Sequence, residues 1–213
     1  VTPLGLAANK GNDTIVRLLL KSGANVNLPQ RLNNIPIIFF AIMSKHIDVV
    51  KTLIAAGANV NARDNEQITP LMKATRLSPK NEDDAYKIKE LVKILLASGA
   101  DVNAQDIHEN TPLNGATHFN CNILQMLIDA GAHVNHQSTR TGATALWTAV
   151  VSNFVFGTSP ECVKILLNAG ADPNVNLGAD GRTILKEAED PYIIRLLLNH
   201  GAEITQPVSR RVQ

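Results

Sequence analysis

The sequence predicts an all-α solenoid in which short helix-turn-helix units stack side by side and loops project from one edge as β-hairpin-like fingers. Three observations lead there. A Gly-Ala phrase closes six apolar runs, at Gly23, Gly57, Gly99, Gly131, Gly170 and Gly201, spaced 34, 42, 32, 39 and 31 residues apart. A Thr-Pro-Leu-like phrase opens six segments, at Thr2, Ile35, Thr69, Thr111, Thr144 and Thr183, spaced 33, 34, 42, 33 and 39. The hydrophobic content is 45% but only 4% is aromatic, so any core is aliphatic. A period near 33 residues means that neighbouring copies cover one another, with no single central core.

The first unit shows why each element forms. In "TPLGLAANK", Thr2 can cap a helix by accepting an orphan backbone N–H, and Pro3 loses nothing at the first helical position. Leu4, Ala7 and Ala8 are small enough to let a second helix approach closely. That second helix reads "TIVRLLLKSG": Ile15, Val16, Leu18, Leu19 and Leu20 make a broad apolar face, and Gly23 stops it where a left-handed residue is needed. The stretch "ANVNLPQRLNN" is polar and turn-forming, as a finger requires, although Pro29 removes one hairpin N–H. Helices this short cannot bury an apolar face alone; adjacent copies must do it.

Later units repeat the scheme with changes. Ile35 replaces the Thr cap of the second unit, a loss of about 1 kcal/mol. The third unit is nine residues longer than the first between opening Thr and closing Gly, through "SPKNEDDAYK", expected to be a polar loop or helix extension that only solvates itself. The fifth is five residues longer, through "SNFVFGTSP", which puts Phe154 and Phe156 where a polar turn is usual. They either extend the core or form a second, apolar docking spot. The sixth unit is short, carries Pro191 near the start of its outer helix and ends in a polar tail, as a closing cap would. The chain begins mid-phrase, so the first unit is expected to be truncated at its start. The units run 1–34, 35–68, 69–110, 111–143, 144–182 and 183–206 within one domain (1–206), followed by a tail at 207–213.

These residues closely resemble the ankyrin repeat: Thr-Pro-Leu, Ala-Ala, an apolar outer helix, Gly-Ala-Asp-Val-Asn, then a finger. The resemblance covers residues 1–206 and implies a slightly curved stack with a short inner helix, a longer outer helix and fingers roughly at a right angle. One departure runs through all six units. The family often has His after Thr-Pro-Leu, whereas here that slot holds Gly5, Ile38, Met72, Asn114, Trp147 and Lys186.

The resemblance also implies a function, binding of a protein partner on the concave face made by finger tips and inner helices. Aligning the chain with itself places Arg31, Leu32 and Asn34; Asn65, Glu66 and Ile68; Ile107, His108 and Asn110; and Arg140 and Thr141 on fingers. From the inner helices come Phe39, Lys73 and Trp147, with Arg76 and His118 at helix ends. Phe39 and Trp147 are anchors if exposed. The mixture of basic, acidic, amide and apolar side chains suits protein recognition better than a phosphate track. Net charge is +1, from 20 basic and 19 acidic residues, and gives no reason to expect nucleic acid.

Other classes find little support. No run is long enough to insert into a membrane and no signal-peptide pattern is present. Cys121 and Cys162 lack a disulfide-scaffold spacing, which fits a reducing, cytoplasmic location, or host cytosol for a delivered bacterial effector. His118, Cys121, His133 and His136 imitate a zinc-finger spacing, but the outer helix between them separates the pairs by about 15 Å, too far for one ion. No metal, cofactor or catalytic residue is therefore expected. The recurring Asn27, Asn61, Asn103, Asn135 and Asn174 are expected to fix their own finger turns. The expected protein is a monomeric, non-catalytic interaction scaffold. The alternative is a target-recruiting module of a larger enzyme, ubiquitin-ligase adaptor or secreted effector.

Overall fold

A computed structural model describes residues 2–30, 34–117, 121–156, 160–175 and 182–204, with the backbone alone for 152–156. The chain forms two compact bodies, Val1–His133 and Val134–Gln213.

The first body holds four helix pairs. They are α1 (Pro3–Asn9) with α2 (Asp13–Lys21), α3 (Ile37–Met43) with α4 (Ile47–Ala55), α5 (Pro70–Thr75) with α6 (Glu82–Ala97), and α7 (Pro112–Ala116) with α8 (Cys121–Asp129). The short first helices pack in a row, α1 on α3, α3 on α5 and α5 on α7; the longer second helices α2, α4, α6 and α8 form another row. Close approach in the inner row is possible because each short helix presents an alanine there. Ala8, Ala41, Ala74 and Ala116 are all fully buried. The outer row is held by stripes at helical spacing: Ile88, Leu91, Val92 and Leu95 are completely buried on α6, and Ile123, Leu124 and Leu127 essentially so on α8.

Helix ends follow from local chemistry. Thr2 Oγ1 accepts the Gly5 N–H at 3.1 Å and Thr69 Oγ1 the Met72 N–H at 3.3 Å. At α3, where Ile35 stands, no side chain caps the helix. At the other end Gly99 has φ +84°, and Ala100 N–H donates back to Leu95 O at 3.0 Å. A β-carbon on Gly99 would meet nothing within 4 Å, so the backbone conformation and not space demands glycine there. The other five closing glycines share this conformation.

The second body contains α9 (Ala145–Phe156), α10 (Pro160–Asn168), α11 (Ile184–Glu187) and α12 (Pro191–Asn199). Here α9 packs on α10 and α11, and α10 on α12, around Leu146, Val150, Leu166, Ile184 and Leu197. Asp190 caps α12 by accepting the Tyr192 N–H at 2.7 Å, with Pro191 at the first helical position. No named β-strand forms among the described residues; one isolated bridge joins Gln30 to Ile35.

Four features differ from the sequence-based expectation. The insertion in the third repeat does more than solvate itself: Asn81 caps α6, extending it to 16 residues, and Asp84 accepts from Lys45 Nζ of the preceding repeat at 2.7 Å. The hydrogen bond from Lys45, and the Lys80 N–H, hold the Asp84 carboxyl below its ordinary pKa. The stretch bearing Phe154 and Phe156 is the last turn of α9 and not a turn between helices; those two side chains lie outside the described residues. Cys121 and Cys162 are both disulfide-bonded. Cysteine usage therefore lends nothing to a reducing compartment. Finally, of the broad apolar face expected on α2, only Val16 is buried; Ile15 and Leu18 stand exposed.

Candidate recognition surface

Among the described residues, four fingers turn on the residue three positions after the recurring asparagine: Gln30, Asp64, Asp106 and Ser138. Asp64 and Asp106 do this most fully. The Asp64 N–H donates to Ile68 O, while its Oδ1 accepts the N–H groups of Glu66 and Ile68, both at 2.9 Å. Asp106 repeats the pattern, donating to Asn110 O and accepting from His108 and Asn110 at 2.8 and 2.9 Å. One residue in each turn takes a left-handed conformation, Gln67 at φ +60° and Glu109 at φ +62°. A carboxylate accepting two backbone N–H groups offsets that local cost.

The Asp106 side chain is only 3% exposed, and Arg76 reaches it from the end of α5, Nη2 to Oδ2 at 2.6 Å. Burial pushes the Asp106 carboxyl up, but the Arg76 guanidinium with the Asn110 and His108 N–H groups outweighs it, so the acid titrates below its ordinary range. Gly115 on α7 makes room for this arm; a β-carbon there would lie 2.8 Å from Thr75 Oγ1 and 3.0 Å from Arg76 Cγ.

Neighbouring tips are fastened together. Ile107 N–H donates to Glu66 O at 3.0 Å, and Arg63 Nη1 donates to Gln67 O in its own finger and Gln105 O in the next, at 3.3 and 2.8 Å. On this braced rim Asn65, Glu66, Ile107 and His108 point outward; Ile107 is 47% exposed.

The recurring asparagines have a different role from the one expected. Their side chains reach the following repeat and not their own turn. Asn27 Nδ2 donates to Gly57 O at 2.9 Å, and its Oδ1 accepts the Asn59 N–H at 2.8 Å. Asn61 clasps Gly99 O and Asp101 N–H, and Asn103 clasps Gly131 O and His133 N–H, all between 2.8 and 3.0 Å. In the second body Asn135 holds Gly170 and Asp172, and Asn174 holds Gly201 and Glu203, in the same way. A signal for this was present: asparagine stands four residues after the closing glycine in five repeats, but the last repeat has Thr205.

The candidate residues therefore separate. Phe39, at 1% exposure, and Ile68, at 7%, belong to the core, because the neighbouring repeat packs over them. Arg76 and Asn110 are engaged in holding Asp106. Asn34 is exposed in a left-handed conformation and reaches Arg63 O at 3.5 Å. Lys73 is half-buried on α5. In the second body Arg140 and Thr141 are exposed and Trp147 is half-buried, its backbone N–H donating to Thr144 Oγ1. Arg31, Leu32 and His118 lie outside the described residues. Among the described residues no cluster of three or more His, Cys, Asp or Glu could hold a metal ion, and no helix is long and apolar enough to cross a membrane.

Comparison with known proteins agrees with this architecture. The family model "Ankyrin repeats (3 copies)" matches residues 4–106 and 84–176. The chain belongs to the ankyrin-repeat family. The solved ankyrin repeat domain from Acinetobacter baumannii AYE superposes with a TM-score of 0.79 at 29% identity, covering 94% of this chain and 98% of that one. The ankyrin repeat protein FPV222 of fowlpox virus (strain NVSL) is 27% identical over 173 residues, 81% of this chain and 17% of its own. The ankyrin repeat protein FPV244 of the same virus is 39% identical over 75 residues, 35% of this chain and 10% of its own. The chain thus spans under a fifth of either viral relative. Ankyrin repeats are generally protein–protein interaction modules.

Proposed function

We propose that this chain binds a partner protein through the finger tips of its second and third repeats, with Asn65, Glu66, Ile107 and His108 making the contacts. One observation carries the reading: the two tips are locked to each other by the Ile107 N–H to Glu66 O bond and by Arg63, yet display side chains of unlike chemistry. A surface ordered before docking loses little entropy on binding, so few contacts suffice. An exposed isoleucine ringed by polar groups is the arrangement of an interface centre and its rim. Within the second body, taken by itself, Arg140, Thr141 and Trp147 offer side chains of similarly mixed character. The polypeptide supplies recognition and no chemistry of its own.

The test is affinity capture with the whole chain and two variants. One carries Glu66→Ala, Ile107→Asp and His108→Ala; the control carries Lys51→Ala and Lys89→Ala on the exposed sides of α4 and α6. The reading expects the tip variant to lose a protein that both wild type and control retain. Identical catches from all three would overturn it. A second reading, a target-recruiting module within a longer enzyme or adaptor, makes the same claim about these residues and draws support from the greater length of the viral relatives.

A further inference from the structure

We infer that the cavity between the first and second fingers receives the C-terminal residue of a partner polypeptide, with its carboxylate on Arg63 and its apolar side chain against Val26, Pro29 and Pro36. This site goes beyond the finger tips proposed above and shares none of their four residues. Two features of the first finger open it. Arg63, six residues after Gly57, braces its finger to the next; Pro29, six residues after Gly23, holds that position in the first finger and has no arm to extend. The turn residue is also withdrawn. Where Asp64 and Asp106 accept N–H groups of their own turns, Gln30 reaches back to Thr2, Oε1 accepting its N–H at 2.6 Å and Nε2 donating to its Oγ1 at 2.8 Å. The first turn closes one residue later as well, Gln30 N–H to Ile35 O against Asp64 N–H to Ile68 O. Beyond the Asn27 clasp at the base, only the Asn34 amide crosses to the second finger among the described residues, at 3.5 Å. Between the two fingers lies a cavity of about 380 Å³, walled by Val26, Pro29, Pro36, Asn59, Ala62 and Arg63.

The chemistry of the walls selects the occupant. Arg63 uses Nη1 on two backbone carbonyls, those of Gln67 and Gln105. Its Nε–H and Nη2–H donate to nothing among the described residues. Those two donors lie side by side on one edge of the planar guanidinium, at the spacing of the two oxygens of a carboxylate. Asn59 adds a further donor: its Oδ1 takes the Asn61 N–H, while Nδ2 has no partner among the described residues. No acidic residue stands among the described residues of the lining, so nothing there repels an incoming anion. The volume lies at the small end of ligand cavities, about 300–1,000 Å³. A C-terminal residue carries carboxylate and side chain on one α-carbon and presents both within so small a space. An Asp or Glu inside a chain must also bring its backbone in and out.

The test is fluorescence polarisation with the full chain and amino-terminally labelled peptides Gly-Ser-Gly-Ala-X, where X is Val, Leu, Ile or Phe. At least one free acid should bind with Kd below about 1 mM. Its C-terminal amide should bind at least about tenfold more weakly, the loss expected for a charge-assisted pair. Gly-Ser-Gly-Leu-Asp closed as an amide should bind no better than the other amides. Leu28 holds in the first finger the position that Ala62 holds in the second, so Ala62→Leu suits the repeat. It should fill the cavity and weaken the free acid at least about tenfold, with Tm within about 2 °C of wild type. A nuclear magnetic resonance titration of the wild type stands independently of that variant. The Arg63 Nε–H and Asn59 side-chain amide signals should shift saturably with the acid and not with its amide. The finger-tip variant, Glu66→Ala with Ile107→Asp and His108→Ala, should keep full peptide affinity, which separates failure here from failure of the finger-tip reading. Equal binding of acid and amide, or no saturable Arg63 shift with any of the four acids, would overturn the inference. So would tighter binding of the Asp amide than of the acids, since a carboxylate from within a chain would then be the occupant.

Discussion

Replacing Asn61 by Ala removes a two-point clasp between the second and third repeats while leaving every apolar contact in place. Two hydrogen bonds go, Nδ2–H to Gly99 O at 3.0 Å and Asp101 N–H to Oδ1 at 2.8 Å. Each is worth about 0.5–1.5 kcal/mol net. Gly99 and Asp101 are exposed, so water reaches the freed groups and the lower half of that range applies. The sum is about 1–2 kcal/mol, or roughly 2–8 °C in Tm for a chain of this length. Asn61→Asp should cost at least as much at neutral pH. It keeps the acceptor for Asp101 N–H, loses the donor, and sets a negative charge against the carbonyl end of α6. Asn25→Ala is the internal control, since among the described residues Asn25 Oδ1 accepts the Asn27 N–H of its own turn, at 2.9 Å, and reaches no other repeat. Urea unfolding followed by far-ultraviolet circular dichroism measures all three. An Asn61→Ala variant within about 0.3 kcal/mol of wild type, or no weaker than Asn25→Ala, would refute the clasp as an inter-repeat coupling.

Three further outcomes follow from the third and fourth repeats. Arg76→Ala leaves the nearly buried Asp106 carboxylate without its cation and should destabilise by about 1.5–3 kcal/mol, measured by urea titration. Because the folded Asp106 pKa is depressed below 3.8, its stabilisation is complete above that value and is lost as pH falls through the lower folded one. Asp106→Asn should therefore be the less stable protein at pH 7 but lose less than wild type between pH 4 and about pH 2; equal acid losses would count against the pair. Gly115→Ala sets helix propensity, which favours Ala by about 1 kcal/mol, against a β-carbon 2.8 Å from Thr75 Oγ1. Crowding should win and the variant should melt lower. A higher Tm would show that the Arg76 arm moves aside easily.

Much of the architecture was legible because it is local and repeated. Thr-Pro and Gly-Ala mark helix ends through capping and the left-handed backbone, and these interactions span only a few residues. The row of alanines was likewise readable from Ala7 and Ala8 in the first unit. The candidate surface was less legible. Phe39 and Lys73 occupy the same place in the repeat, yet one is core and the other half-buried, since exposure depends on which side chains the next repeat brings. Arg76 looked like a free surface cation, but its partner lies thirty residues on. The asparagines carried a visible clue in Thr205, yet the reach of a side chain into another repeat needs coordinates.

The amino-acid sequence by itself determined that this is a stack of ankyrin repeats and where most of its helices start and stop. Those properties follow from backbone sterics, capping and hydrophobic period, all short-range. Only the tertiary structure decided which asparagine holds which glycine and which finger residues remain in solvent. Those depend on distances between residues roughly one repeat apart, which the order of letters does not contain.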